Sequence, residues 1–167
     1  DKVVARIGDT YYETLADTIA AVEENGIIDL VENASICESS STAVKKGFIL
    51  NGNGHKLSAD NQLQLLAGKT VFRNVTFTSP RPLYVQGATF VLEETAAIDS
   101  KVNGNAAIWF YGNAKGEING KVIAPNAYGV CLNTDAKFDS VPNTVSLKGA
   151  TVDAWGPALY VNGSFGG

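Results

Sequence analysis

Carboxylates are the residues of this chain best suited to chemistry on a substrate. Glu93, Glu94, Asp99, Glu117, Asp135, Asp139 and Asp153 are scattered through its second half. Glycosidic hydrolysis needs two carboxyl groups about 5 to 9.5 Å apart. None of these acids forms a compact pair that recurs from one repeat to the next. Glu93 and Glu94 are adjacent, so on a strand they face opposite sides. A lyase would need a base together with a cation near the substrate carboxylate. Arg73 and Arg81 are the only arginines after Gly47, and Arg81 sits in the corner string SPRPL. His55, the sole histidine, follows a GNG corner and reads as a packing or hydrogen-bonding residue. Cys37 and Cys131 lie in no CxxC or Cys/His spacing, so neither a metal site nor a cofactor is expected. The string AGKT at 67–70 lacks the upstream glycine of a phosphate loop. Asn33, Asn74 and Asn162 head N-x-S/T strings, which Asn-rich corners produce by composition. The balance favours a non-catalytic chain, with the acids as a solvated surface.

The totals narrow the classes further. A length of 167 residues with 45% apolar and 18% charged residues describes one globular domain of low charge. Thirteen basic residues scattered among 17 acids, for a net charge of −4, argue against a nucleic-acid partner held through phosphates. No window approaches the ~20 apolar residues of a membrane span. The chain has no methionine and stops at ALYVNGSFGG, on a strand and a turn. It reads as a fragment truncated at its C-terminus, with further domains of the same polypeptide expected.

These residues must be held by short strands. KVVARIG at 2–8 reads as a first strand. Leu15, Ile19 and Val22 recur on one face of a helix. Thr14 with Asp17 resembles a capping box, and Asn25-Gly26 supplies the stop. The single apolar stripe of this helix is expected to cover the open end of a β structure. IIDLVENASI at 27–36 returns to strand, and the polar SSSTAVKK run reads as a loop. From Gly47 onward strands alternate with corners; 14 Asn and 17 Gly in the chain supply residues tolerant of positive φ. PLYVQG and ALYVNG end 76 residues apart, at Gly87 and Gly163. IWFYG and GVCLNT fall between them, and LQLLAG precedes them. The spacings are 19, 25, 22 and 29, a drift that suits coils with insertions at their corners. A second strand type precedes each member, in VFRNVTF, TFVLEET, GEINGKVIA and VSLKGATVDA. Each rung then has at least two strands, with three expected. Stacking such strands in parallel at about 4.8 Å without a crossover helix makes a β-solenoid.

GFILNGNGHKL and FRNVTF resemble repeat units of the right-handed parallel β-helices of the pectin-lyase-like superfamily. ARIGDTYYETLADTIAAV resembles the segment that precedes such repeats in large bacterial cell-surface proteins. The resemblance implies an all-β chain, a right-handed parallel β-helix of about five rungs, roughly 24 Å long. It has one N-terminal capping α-helix. The implied division is a strand-helix-strand cap over 1–46 and the β-helix over 47–167. It also implies an extracellular, bacterial cell-surface setting. The superfamily includes polysaccharide lyases and hydrolases, phage tail spikes and adhesins. The expected function is therefore adhesion, or recognition of a glycan or host surface. A polysaccharide lyase or glycoside hydrolase fragment and a structural stalk are the alternatives.

Aligning the repeats gives columns. Leu83, Ile108, Val130 and Leu159 share one, and Val85, Phe110, Leu132 and Val161 another; alternation puts both inside. Tyr84, Trp109, Cys131 and Tyr160 then point outward, as do Gln86, Tyr111, Asn133 and Asn162. Cys131 falls three or four rungs from Cys37, roughly 15 Å or more at ~4.8 Å per rung, too far for a disulfide. Tyr84, Trp109 and Tyr160, flanked by Gln86, Tyr111, Asn133 and Asn162, form the candidate ligand-binding ladder. Aromatic rings stack on the apolar face of a pyranose, and amides bridge its hydroxyls. The same ladder could serve cross-strand packing alone. The recognition reading predicts Tyr84, Trp109 and Tyr160 exposed in a row; a covering loop would remove its main support.

Overall fold

The computed structural model describes residues 2–134, 144–147 and 149–163. An antiparallel pair opens it, β1 (Ala5–Ile7) and β2 (Thr10–Tyr12), followed by α1 (Leu15–Ala21). The chain then coils, and each coil contributes one strand to each of three sheets. Sheet A takes β3 (Gly26–Leu30), β6 (Phe48–Asn51), β9 (Lys69–Arg73), β12 (Thr89–Leu92), β15 (Lys115–Ile118) and β18 (Thr144–Ser146). Sheet B takes β4 (Ala34–Ile36), β7 (Lys56–Ala59), β10 (Thr76–Ser79), β13 (Ala97–Ser100), β16 (Lys121–Ala124) and β19 (Thr151–Ala154). Sheet C takes β5 (Thr42–Val44), β8 (Leu63–Leu65), β11 (Leu83–Gln86), β14 (Ala106–Tyr111), β17 (Tyr128–Thr134) and β20 (Leu159–Gly163). Neighbouring coils pair in parallel throughout, and β1 joins sheet A antiparallel to β3. The chain is a parallel β-solenoid of about five turns with a single short helix.

Alternation along each strand builds the core. Ile28, Leu50, Phe72, Leu92 and Ile118 stack inward from sheet A, each with at most 1% of its surface exposed. Phe72 meets Phe90 edge to face at 5.0 Å and Phe77 at 5.7 Å. Burying one such ring is worth about 3 kcal/mol. Asn25, Asn53, Asn74 and Asn113 take the left-handed conformation at corners, with φ between 50° and 64°. Asparagine tolerates this because its short amide bonds locally. Asn53 donates from Nδ2 to the Leu30 carbonyl of the preceding coil at 2.9 Å. Gly116 is required for another reason: a Cβ there would run into the Phe110 ring.

The helix starts as its residues suggest, with Thr14 Oγ1 accepting from the Asp17 N–H at 3.1 Å. It ends sooner than expected, because Val22 is already extended while its N–H still bonds the Thr18 carbonyl. Lys46 then closes the end, donating to the carbonyls of Ala20 and Val22 at 3.1 and 2.8 Å. The helix packs on β1, β2 and β4, the first strands of sheets A and B.

Three expectations need correction. The polar run around Ser39–Lys46 is not all loop, since Thr42–Val44 forms β5 and pairs with β8. One buried residue, Val44, is too short an alternation to see by pattern. The coil also begins at Gly26, so residues 26–44 already form its first turn and the cap is shorter than 1–46. Finally, matching LQLLAG to PLYVQG by their last glycines sets Tyr84 opposite Leu65, whereas the structure pairs Tyr84 with Gln64. A slip of one residue would have turned buried Leu63 and Leu65 outward.

Candidate functional site on the outer face of sheet C

The outward columns lie in the expected register. Tyr84, Trp109, Cys131 and Tyr160 are successive partners, as are Gln86, Tyr111, Asn133 and Asn162. Gln64 extends the first column backward, and Leu66, which follows β8, extends the second. Parallel pairing places each side chain beside its counterpart one coil away.

The rings do not form one continuous exposed row. Tyr84, Trp109 and Tyr111 are half-buried against one another. Trp109 stands nearly perpendicular to both tyrosines, with centroids 5.8 and 6.3 Å away and interplanar angles of 85° and 86°. Tyr84 and Tyr111 are tilted by 31° at 6.1 Å. Trp109 Nε1 is buried without a hydrogen-bond partner. Perpendicular packing is the geometry in which such an N–H can face a π cloud. The Tyr84 hydroxyl donates to Gln86 Oε1 at 3.0 Å, which orients that amide. Burial, and then neighbouring Tyr111, pushes the Tyr84 phenol up, so it stays a neutral donor.

Cys131 interrupts the aromatic column, being only 6% exposed. Beyond it, Tyr160 is exposed and lies over Tyr128 at 4.9 Å and 30°. Tyr128 is a site residue that sequence reasoning missed. It shares the inward parity of Val130 and Leu132, and its ring has room only because Gly156 lacks a Cβ that would strike it. The glycine in AWGP was the available signal. Of Asn162 only the backbone position is described.

Beside the first cluster runs a shallow groove of about 380 Å³, lined by Leu66, Gln86, Gly87, Gly112 and Asn113. A second concavity, of about 420 Å³, lies between the cap and the first coil, among Glu13, Thr14, Leu15, Ser35, Cys37 and Glu38. Cys37 points its thiol at the Gln62 carbonyl at 3.6 Å, and burial raises its pKa. Cys37 and Cys131 are both free and buried, in the first and fifth coils.

The remaining candidate acids are spread out. Arg73 grips Glu93 with two bonds, Nε to Oε1 at 2.7 Å and the second guanidinium nitrogen to Oε2 at 3.0 Å. That grip holds the Glu93 carboxyl below its ordinary range and raises Arg73. Asp99 pairs with Lys101 at 3.5 Å. Glu94, Glu117 and Asp153 are exposed, and Asp135 and Asp139 lie outside the described residues. Arg81 is exposed, and its backbone N–H bonds Ser79 Oγ. His55 is half-buried, its N–H closing a turn onto the Gly52 carbonyl at 2.8 Å. Among the described residues no three His, Cys, Asp or Glu side chains are placed to hold a metal ion. No helix among them is long and apolar enough to cross a membrane. Comparison with family models, with curated proteins and with solved structures finds no match.

Proposed function

We propose that this chain is a non-catalytic recognition module that binds a glycan on the outer face of sheet C. The observation that carries the reading is the cluster of Tyr84, Trp109 and Tyr111, with the Gln86 amide oriented at its edge and an open groove alongside. Aromatic rings supply apolar area to sugar C–H faces at low entropic cost, and fixed amides supply direction. The setting that suits it is the one implied by resemblance to pectin-lyase-like β-helices, an extracellular adhesin-type protein on a bacterial surface.

A structural stalk is the competing reading, favoured by the interlocked edge-to-face packing of Trp109. A glycan array probed with the wild-type chain and with Trp109→Ala separates the two. Recognition gives glycan signals that fall at least about tenfold in the variant, equivalent to ~1.4 kcal/mol. A blank array for the wild-type chain would leave the stalk.

A further inference from the structure

Sheet C carries no charge in its outer columns from β8 onward. Gln64, Tyr84, Trp109, Cys131 and Tyr160 form one, and Leu66, Gln86, Tyr111, Asn133 and Asn162 the other. A polyanion such as a uronate chain would need cations there, and the whole chain carries a net charge of −4.

The groove beside the rings adds a second, independent argument. Its lining comes from three successive coils: Leu66 from the second, Gln86 and Gly87 from the third, Gly112 and Asn113 from the fourth. It therefore runs along the stacking axis for about 10 Å, two inter-strand steps. Gly87 and Gly112, with φ of +63° and +39°, put no side chain into it. The carbonyl oxygens of Leu66 and Gly112 lie 3.9 Å from where a Gly87 Cβ would stand. Each carbonyl has two lone pairs, and the Gly112 oxygen uses one on the Gly87 N–H at 2.7 Å. A groove offering carbonyl acceptors suits a ligand that donates, such as a sugar hydroxyl, and repels a carboxylate.

Resting on the recognition reading above, we infer that the ligand is an uncharged, polyhydroxylated glycan lying along the solenoid axis. Its rings pack on Tyr84 and Tyr111, and its hydroxyls donate into the groove at Gly87 and Gly112. Gly87 is then a specificity-determining position, because any side chain there fills the groove.

Affinity electrophoresis of the chain tests this. Gels would contain neutral polysaccharides (mannan, xyloglucan, mixed-linkage glucan) or anionic ones (polygalacturonate, hyaluronate), at low ionic strength and about tenfold higher. The companion variant is Gly87→Asn, since asparagine tolerates positive φ; its fold is checked by circular dichroism. The expected result is retardation by at least one neutral polysaccharide, insensitive to salt as binding without ion pairs should be. Gly87→Asn should weaken it about tenfold while remaining folded. Retardation only by anionic gels, collapsing with salt, would overturn the uncharged-ligand inference and leave glycan recognition standing. Unchanged neutral binding by folded Gly87→Asn would overturn the groove placement. If Gly87→Asn fails to fold, Leu66→Trp, which fills the same groove from the second coil, takes its place with the same two outcomes. No retardation in any gel would overturn the recognition reading and this inference with it.

Discussion

The outer faces of sheets A and C use the same ladder geometry for opposite ends. On sheet A the central column is aliphatic over four coils, Ile27, Ile49, Val71 and Val91, before the exposed Glu117 takes the next position. It is flanked by Lys69, Thr89 and Lys115 on one side and by Asp29, Asn51 and Arg73 on the other. Val71 and Val91 point away from the core, yet they are only 8% and 6% exposed. Long flanking stems can cover such residues while keeping their charged heads wet. The flank is also bonded to itself, through Arg6 to Asp29 at 3.7 Å, Asn51 to Asp29 at 2.9 Å, and Arg73 to Glu93. Sheet A therefore closes its own surface over Val71 and Val91, while Ile27 on the first coil stays 48% exposed. Sheet C has no charged columns to do this after β8. Its outer face is aromatic and amide, broken at Cys131 and open along the groove. The face that closes itself holds register, and the proposed recognition falls on the face that does not.

The largest difference between the two faces is expected from changes on one strand of sheet C. Phe110 and Trp109 are adjacent on β14 and face opposite ways. Phe110→Ala should cost about 3 to 5 kcal/mol, because it empties the fully buried space above Gly116. Chemical denaturation would read this as a large drop in midpoint. Trp109→Phe should leave that midpoint within about 0.5 kcal/mol, as it removes an unpartnered N–H and keeps a ring. If Trp109→Phe were as damaging as Phe110→Ala, the outer face of sheet C would be structural and the contrast with sheet A would fail.

A smaller effect is expected inside sheet A. The Thr70 hydroxyl is buried without a partner. Thr70→Val keeps the shape and removes the unmet group, so it should stabilise by about 1 kcal/mol. A lower melting temperature would mean that the hydroxyl is satisfied in solution.

The smallest effect tests whether sheet A closes itself by charge. Arg73 and Glu93 are 38% and 32% exposed, so solvent screens the pair and Glu93→Gln should cost only about 0.5 kcal/mol. The folded carboxyl sits below its unfolded range, through the Arg73 hydrogen bonds first. The pair's contribution is therefore complete above the unfolded carboxyl pKa and is lost as pH falls through the lower folded value. Thermal melts across acidic pH should show the wild-type advantage over Glu93→Gln shrinking to nothing in that window. A constant difference at every pH would point to packing of the side chains rather than their charge.

Much of this was legible in the residues because a parallel solenoid repeats its constraints. Alternation in LYVQ, IWFY and VCLN determined which side chains face the core, and pairing follows each column from Tyr84 to Tyr160. In LYVN, however, Leu159 and Val161 are 41% and 37% exposed, so the expectation that they lie inside fails at that coil. Thr14 announced the helix start, and the asparagines announced left-handed corners. The weaker repeat at Leu63–Leu65 misled by one residue because its glycine stands one place later in a corner of equal length, Gly68 level with Ala88 rather than with Gly87. Only burial of both leucines resolves that ambiguity. Whether rings that share a column also share an exposed surface is likewise absent from the pattern. Alternation sets direction, but exposure depends on what fills the space beside each side chain. Trp109 turned perpendicular against two tyrosines, Cys131 sank between its neighbours, and Tyr128 reached Tyr160 across the space that Gly156 leaves open. Apart from Trp109 on Tyr111, those choices join residues of different coils through packing volume, a quantity set when the coils stack.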